Sequence, residues 1–186
     1  MRLRTSLAVL AGTVALGLAT PSFAQRVVTV GGAPMYPTKD IVSNAVNSKD
    51  HTTLVAAVKA AGLVETLQTP GPFTVFAPTN KAFAKLPAGT VESLVQPQNK
   101  ATLTTVLTYH VVPGKYSSAD LQKLVKQGGG MAQLKTVQGG TLTVMPGSKG
   151  KSLFVEDAKG NTSRVTIANV NQSNGVIHVV DTVLMP

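Results

Sequence analysis

Hydrophobic positions in the first half of the chain follow a helical period. Leu54, Ala57, Val58 and Ala61 form one stripe, which predicts a helix that ends at Gly62. A longer helix is predicted to begin near Asn99, and several short helices begin at polar residues that can cap free N–H groups. The predicted caps are Asp40, Thr79, Thr90, and Ser117 or Ser118. The pattern therefore predicts a layer of short helices.

The second half of the chain changes to β-branched segments separated by Gly, Pro and Asn turns. Five strands are predicted over 134–138, 141–145, 152–156, 163–170 and 176–184. Two earlier segments, 73–77 and 109–112, also have the composition of strands. Helices early and a meander of strands late predict an α+β fold with a mostly antiparallel β-sheet.

The start of the chain has the order of a secretory signal peptide. Arg2 and Arg4 precede a short apolar stretch, and the small-residue ending Ser22-Phe23-Ala24 predicts cleavage after Ala24. About 20 apolar residues are needed to cross a bilayer, and this stretch is shorter, so we expect no transmembrane anchor after cleavage. The chain is thus expected to be exported, to the periplasm or out of the cell.

The remaining chain divides into a short arm and one domain. Residues 25–38 contain Gly31-Gly32, Pro34 and Pro37, which predict an extended N-terminal arm without helix or strand. Residues 39–186 have the length of a single domain and show no internal repeat.

Charge and cysteine content exclude some classes of function. The chain has 17 Lys and Arg against 8 acids, a formal net charge of +9, but the lysines are spread singly and no aromatic platform accompanies them. We therefore expect a solvated surface and no nucleic-acid partner. The absence of cysteine excludes disulfides, thiolate metal sites and cysteine nucleophiles.

Three segments of the chain resemble signature motifs of the fasciclin domain. The segment from Gly71 to Pro87 is similar to the first box of that family, and the segment from Asn174 to Pro186 is similar to the second. Between them, Leu107 to Gly114 resembles the family's tyrosine-histidine motif. The resemblance covers roughly Tyr36 to Pro186, and we expect the two boxes to be neighbouring parts of one buried β framework.

The resemblance implies both a fold and a function. The fold would be a wedge of β-strands with a layer of short helices, and the function would be cell adhesion or binding of a partner, without catalysis. The partner class would be a cell-surface or host protein or a polysaccharide. The proposed contact of animal relatives, carried over, points to Tyr109, His110, Val111 and Val112.

The residues of the signature segments also have a structural interpretation. The apolar ones belong in a core, and Thr79 and Asn80 suit a turn and a helix cap, with Asn80 as a ligand contact the alternative. If 109–112 is a strand, Tyr109 and His110 point to opposite faces and one is accessible. For His110 we favour a partly buried ring that hydrogen-bonds to backbone or a carboxylate over a role in recognition. The structural signature residues are Phe73, Phe76, Thr79, Asn80, Phe83, Asn174, Gly175, His178 and Asp181.

No motif of an enzyme, cofactor site or metal site is present. The sequence lacks H-E-x-x-H, G-x-S-x-G, the Walker loop and the Rossmann glycines, and His51, His110 and His178 lie far apart without a second ligand nearby. We therefore expect no catalytic residues, no cofactor and no metal. Two alternatives stay open: an envelope carrier that binds a small molecule or polysaccharide between helices and sheet, and a hydrolase with a spatial Ser-His-Asp cluster. The oligomeric state is not predicted.

Overall fold

The structure, a computed structural model, describes residues 26–147 and 152–186. These residues form nine strands and seven α-helices. The helices are α1 (Ile41–Ala45), α2 (Thr52–Ala61), α3 (Val64–Gln68), α4 (Asn80–Ala84), α5 (Thr90–Leu94), α6 (Lys100–Tyr109) and α7 (Ser118–Gln127). The strands are β1 (Val28–Val30), β2 (Ala33–Met35), β3 (Phe73–Pro78), β4 (Val111–Pro113), β5 (Ala132–Lys135), β6 (Thr141–Pro146), β7 (Leu153–Glu156), β8 (Thr162–Gln172) and β9 (Gly175–Val180).

Seven of the strands form one sheet in the order β4-β3-β9-β8-β7-β6-β5. Every neighbouring pair is antiparallel except β3 and β9, which run parallel. The Val137 N–H donates to the Val111 carbonyl at 2.8 Å, so the loop after β5 reaches the other edge strand, β4. The predicted α+β class with a mostly antiparallel sheet is confirmed.

Strands β3 and β9 separate two hydrophobic cores. On β3, Val75 and Ala77 point into the first core, whereas Phe76 points into the second. Helices α1, α2 and α6 cover the first core, and the sheet itself with α7 encloses the second. Because side chains alternate along a strand, a strand that serves two cores has to be apolar on both faces.

The N-terminal segment is a hairpin. The interpretation of residues 25–38 as an arm without strands is wrong, because Gly31 and Gly32 adopt positive φ (58° and 77°) and close a turn between β1 and β2. Val30 and Met35 are buried in the first core, so the hairpin is part of the packed structure. The predicted signal peptide lies outside the described residues. Within the described ranges, no helix is long and apolar enough to cross a bilayer.

Most predicted helix ends are confirmed. The side chains of Asp40, Thr79 and Ser117 accept hydrogen bonds from the first turns of α1, α4 and α7, and Gly62 ends α2 in the left-handed conformation. The N-cap of α5 is Gly89, however, one residue before the predicted Thr90. The strand predicted over 109–112 is also partly wrong, because α6 continues to Tyr109 and β4 begins only at Val111.

Candidate functional site

The first and second signature segments are adjacent strands. Strand β3 pairs with β9 in parallel register from Phe73↔Gly175 to Pro78↔Val180. Gly175 lies so close to β3 that a Cβ added to it would be 2.1 Å from the Phe73 carbonyl oxygen. All six residues of β9 are buried. The expectation that the two boxes form one buried β framework is therefore confirmed.

Asn174, at the start of the second segment, joins that framework to two helices. Its Oδ1 accepts a hydrogen bond from the Ile41 N–H at 3.1 Å, at the start of α1. Its Nδ2 donates to the Leu67 carbonyl at 2.7 Å and the Thr69 carbonyl at 3.1 Å, at the end of α3. Because free N–H and C=O groups at helix ends need partners, this one buried side chain stabilises two helix termini.

Asn80, in the first segment, has a comparable role at the start of α2. Its Oδ1 accepts from the Thr53 N–H at 3.0 Å, and its Nδ2 donates to the Lys49 carbonyl at 2.8 Å and the Thr52 hydroxyl at 2.9 Å. The Asn80 amide thus caps a helix that begins 28 positions earlier in the chain. These contacts occupy the amide with the protein itself.

Tyr109 is completely buried at the C-terminal end of α6. Its hydroxyl donates to the Thr141 carbonyl at 2.7 Å and accepts from the Ala158 N–H at 2.9 Å. The ring lies against Gly140, where an added Cβ would come within 2.7 Å of it. Burial raises the pKa of the phenol. Tyr109 therefore connects α6 to the loops before β6 and after β7.

His110 follows Tyr109 and hydrogen-bonds to the C-terminal segment. Its Nδ1 lies 2.8 Å from the Val106 carbonyl, and its Nε2 accepts from the Leu184 N–H at 3.0 Å. Since the backbone N–H can only donate, the proton of the neutral ring is on Nδ1. Complete burial lowers the pKa of His110 to about 4. The ring is therefore neutral at physiological pH.

The prediction that Tyr109 or His110 is accessible is wrong. Tyr109 is in a helix and His110 is its C-cap, so the alternation of a strand does not apply to them, and both are at most 2% exposed. Val111 and Val112 are buried as well. The tyrosine-histidine motif is thus internal, and the groups that reach solvent around it belong to the loops that it holds.

His178 is the internal histidine of the second segment. It is fully buried, its Nε2 is 2.8 Å from the Tyr116 carbonyl, and its ring stacks on Phe76 with the centroids 5.7 Å apart. The Asn169 N–H approaches Nδ1 at 3.4 Å. Burial lowers the pKa of His178, which keeps the ring neutral.

Asp181, the acid of the second segment, lies at the surface. Its Oδ1 accepts from the Arg164 N–H at 3.0 Å and from the Thr182 hydroxyl at 3.1 Å. Its Oδ2 is 3.9 Å from the Lys85 ammonium, with both side chains partly exposed. An ion pair in such a setting contributes little to stability, so the carboxylate serves mainly the turn after β9.

In the part of the chain that the structure describes, none of the three histidines hydrogen-bonds to an acidic side chain, as catalysis or metal binding would need. Across residues 26–147 and 152–186, no group of three His, Asp or Glu side chains could hold a metal ion. His110 and His178 bond to backbone groups. His51 pairs with Ser48 through Nδ1, at 2.9 Å, and both are buried. Sequence reasoning considered His51 only as a metal ligand, because no local pattern indicates its burial or its pairing with Ser48.

An exposed surface, which we call the loop face, surrounds the buried motif. It consists of residues 137–139, before β6, and 158–160, after β7, all exposed. The Tyr109 hydroxyl bonds beside both loops, and the Gln138 N–H contacts the Thr108 carbonyl at 3.4 Å. The C-terminal segment is adjacent, because the Met185 N–H donates to Asp157 at 2.9 Å.

Comparisons with known proteins agree with these motifs and this fold. A family profile described as "Fasciclin domain" matches residues 49–186. Protein sll1483 of Synechocystis sp. is 45% identical over 179 residues, which cover 92% of this chain and 90% of that protein. The cell surface glycolipoprotein MPB83 of Mycobacterium bovis is 33% identical over 151 residues, covering 78% of this chain and 60% of that protein.

A solved structure has the same fold. It is described as a FAS1 domain pair from the insect cell adhesion molecule fasciclin I, and it superposes with a TM-score of 0.69 at 19% identity. The superposition covers 80% of this chain and 51% of that one. The shared architecture is a mixed sheet with several short helices.

Proposed function

Because this chain belongs to the fasciclin domain family, we propose that it is an exported, non-catalytic interaction module that mediates adhesion of the cell to a surface or a host. Two comparisons support the proposal: MPB83 is named a cell surface protein, and fasciclin I is named a cell adhesion molecule. The predicted signal peptide supports export to the periplasm or beyond. The partner would be a protein or polysaccharide outside the cytoplasm.

We assign the contact to the loop face, with the tyrosine-histidine motif as its support. The observation that carries this assignment is the Tyr109 hydroxyl, which is buried and bonds to the backbone beside both loops. Val137 is 46% exposed although it is apolar, and Lys159 adds a positive charge to the same surface. An exposed apolar side chain and a cation on one surface suit a partner that has both a nonpolar surface and anionic groups.

Surface substitutions test this assignment without disturbing the core. We would complement a strain lacking the protein with Val137→Asp plus Lys159→Glu, and measure attachment. We expect attachment to fall to that of the deletion strain. The matched control, Val95→Asp plus Lys123→Glu, changes one exposed valine and one exposed lysine elsewhere and is expected to attach normally.

The possible outcomes separate the function from the site. If the deletion strain attaches as well as the parent, the adhesion function is wrong. If the deletion strain is defective but the Val137 and Lys159 variant, folded and exported, attaches normally, the loop face is wrong. Tyr109→Phe supplies a third variant. It removes only the hydroxyl that bonds to the Thr141 carbonyl and the Ala158 N–H, so both loops lose their bond to α6, and attachment should weaken if loop position matters.

A further inference from the structure

The first core contains a cavity between the helices and the sheet. Its volume is about 80 Å³. The lining is almost entirely hydrocarbon, from α1, α2, β3 and β9. Representative lining residues are Ile41, Leu54, Val58, Val75 and Val179. Natural cores have few voids larger than a water molecule, so a cavity of this size is unusual and needs an explanation.

One polar side chain in the lining lacks a partner. His51 is 3% exposed, and its Nδ1 is paired with the Ser48 hydroxyl at 2.9 Å. Its Nε2 is buried and makes no hydrogen bond within the described ranges. The Ala77 carbonyl acts to raise the pKa of His51, but it does not meet hydrogen-bonding geometry with Nε2. Burial is the larger effect and lowers the pKa of His51.

His51 is not needed at this position for helix capping. It is the N-cap of α2, but its side chain makes no capping bond, because Asn80 bonds to the Thr53 N–H instead. A buried nitrogen without a partner is costly, and most buried polar groups in native proteins are paired. Its position in the lining of a cavity indicates that an occupant supplies the missing partner.

The chemistry of the lining restricts that occupant. A buried water needs two to four polar partners, and this cavity offers one unpaired nitrogen in a hydrocarbon wall. A small apolar molecule with one polar group fits better. A hydroxyl is the group that suits His51 in either tautomer, because it can both donate and accept.

We propose that the cavity binds a small aliphatic alcohol, with the hydroxyl paired to His51 Nε2 and the alkyl chain among the aliphatic lining. Val137, Lys59 and Thr66 line the same cavity and are exposed, so they mark where it reaches the surface. The inference does not rest on the proposed adhesion, although Val137, at the mouth of the cavity, also belongs to the loop face.

The test compares two probes of the same size, 1-butanol and 1-chlorobutane, which differ in whether they can donate to the ring. Each would be titrated into the ¹⁵N-labelled protein, with the amide shifts of lining residues and the His51 ring nitrogens followed by NMR. We expect saturable shifts with 1-butanol and a change at His51 Nε2. Each affinity is expressed relative to the probe's transfer from water to an apolar solvent, because the hydroxyl is costlier to desolvate than the chloride. On this scale 1-chlorobutane should bind roughly fivefold more weakly, the factor typical of one net hydrogen bond.

Two variants test the roles of the His51 ring and of the cavity volume separately. His51→Phe removes the ring nitrogens and should make the two probes bind equally. Val58→Ile plus Val75→Ile adds methyl groups to the cavity wall and should abolish binding of both. The matched control, Val144→Ile plus Val155→Ile, makes the same changes in the second core, where both valines are fully buried, and should bind like the parent.

Three results would overturn the proposal. They are the absence of saturable shifts in the parent protein, equal affinity of the parent for the two probes, and undiminished 1-butanol binding by the folded variant with the filled cavity. If His51→Phe does not fold, the comparison of the two probes and the filled variant still decides the question.

Discussion

His110 shows how a single residue can make the stability of this domain depend on pH. The ring is neutral in the folded protein, because charging it would disrupt its acceptance of the Leu184 N–H and place a charge in the core. Its pKa is about 4 in the fold, against 6.5 for an ordinary histidine. Protons therefore bind more readily to the unfolded chain.

We predict that stability falls as the pH is lowered from about 6.5 to about 4. Above pH 6.5, His110 is neutral in both the folded and the unfolded state, so its titration does not change the free energy of unfolding. Below pH 6.5, the unfolded chain binds a proton that the buried ring of the folded protein does not bind, so the free energy of unfolding falls. The loss from His110 alone is on the order of 3 kcal/mol, complete near pH 4. His51 and His178, whose pKa values burial also lowers, act in the same direction. Urea denaturation at a series of pH values measures the effect.

His110→Gln is the control for this prediction, because an amide can also donate and accept. The variant is expected to be less stable at pH 7 but to lose stability less steeply between pH 6.5 and 4. The aspartates affect stability in a lower pH range than His110. Those whose pKa is lowered in the fold, such as Asp157, reduce the free energy of unfolding only below the ordinary aspartate pKa of 3.8. An unchanged slope in the His110 variant would contradict the assignment.

At the residue scale, the sequence predicts which side chains cap helices better than it predicts which polar side chains are buried. The caps Asp40, Thr79 and Ser117 were predictable because capping depends on neighbours three positions away. The buried position of Tyr109 is not predictable in this way, because it depends on whether α6 extends two residues past Leu107, and the apolar pattern there fits helix or strand. His51 was not predictable either, since its cavity is formed by segments distant in sequence.

At the scale of elements, the parallel pairing of β3 and β9 rests on a glycine. Gly175 has no positive φ, so the fold does not use its conformational freedom. It uses the absence of a Cβ, which would come within 2.1 Å of the Phe73 carbonyl oxygen, a backbone atom that cannot turn away. Asn174, beside it, holds the ends of α1 and α3.

We predict that Gly175→Ala costs about 3 kcal/mol or more in the free energy of unfolding, because the two strands must separate to admit the methyl group. Ser173, two positions earlier, is exposed, and Ser173→Ala should change stability by less than about 0.5 kcal/mol. Thermal and urea denaturation of both variants would measure the difference. Equal stability of the two would show that β3 and β9 are not in contact at Gly175.

The elements themselves were largely predictable, with two instructive exceptions. Helix α2 was found with its end at Gly62, because an apolar stripe and a glycine stop agree. The hairpin of β1 and β2 is not predicted, since a Gly-Gly pair is equally typical of a break, whereas Gly31-Gly32 forms a tight turn. Helix α3 is not predicted, because its five residues are too few to show a period and its N-cap, Leu63, has no capping side chain.

At the scale of the whole molecule, the C-terminal segment joins the two cores. Val183 is buried in the first core and Leu184, the next residue, in the second. The Leu184 N–H donates to His110, and Ser163 both donates to the Thr182 carbonyl and accepts from its N–H. The resemblance to fasciclin domains indicated that the end of the chain closes against its middle, but the division into two cores follows only from the parallel pair β3 and β9.

We predict that the two cores unfold together because this segment belongs to both. Leu184→Ala should cost about 3 kcal/mol and Val183→Ala about 2 kcal/mol, and each should lower protection from hydrogen exchange in both cores equally. Backbone amides of α7, which packs on the second core, and of α2, which packs on the first, report the two sides separately by hydrogen exchange. Coincident transitions in both variants are the expected result, since a single cooperative unit has one free energy of unfolding.

If Leu184→Ala loosened only the second core while α2 kept the protection of the parent protein, the cores would be independent, and His110 would stabilise one half of the molecule instead of the whole.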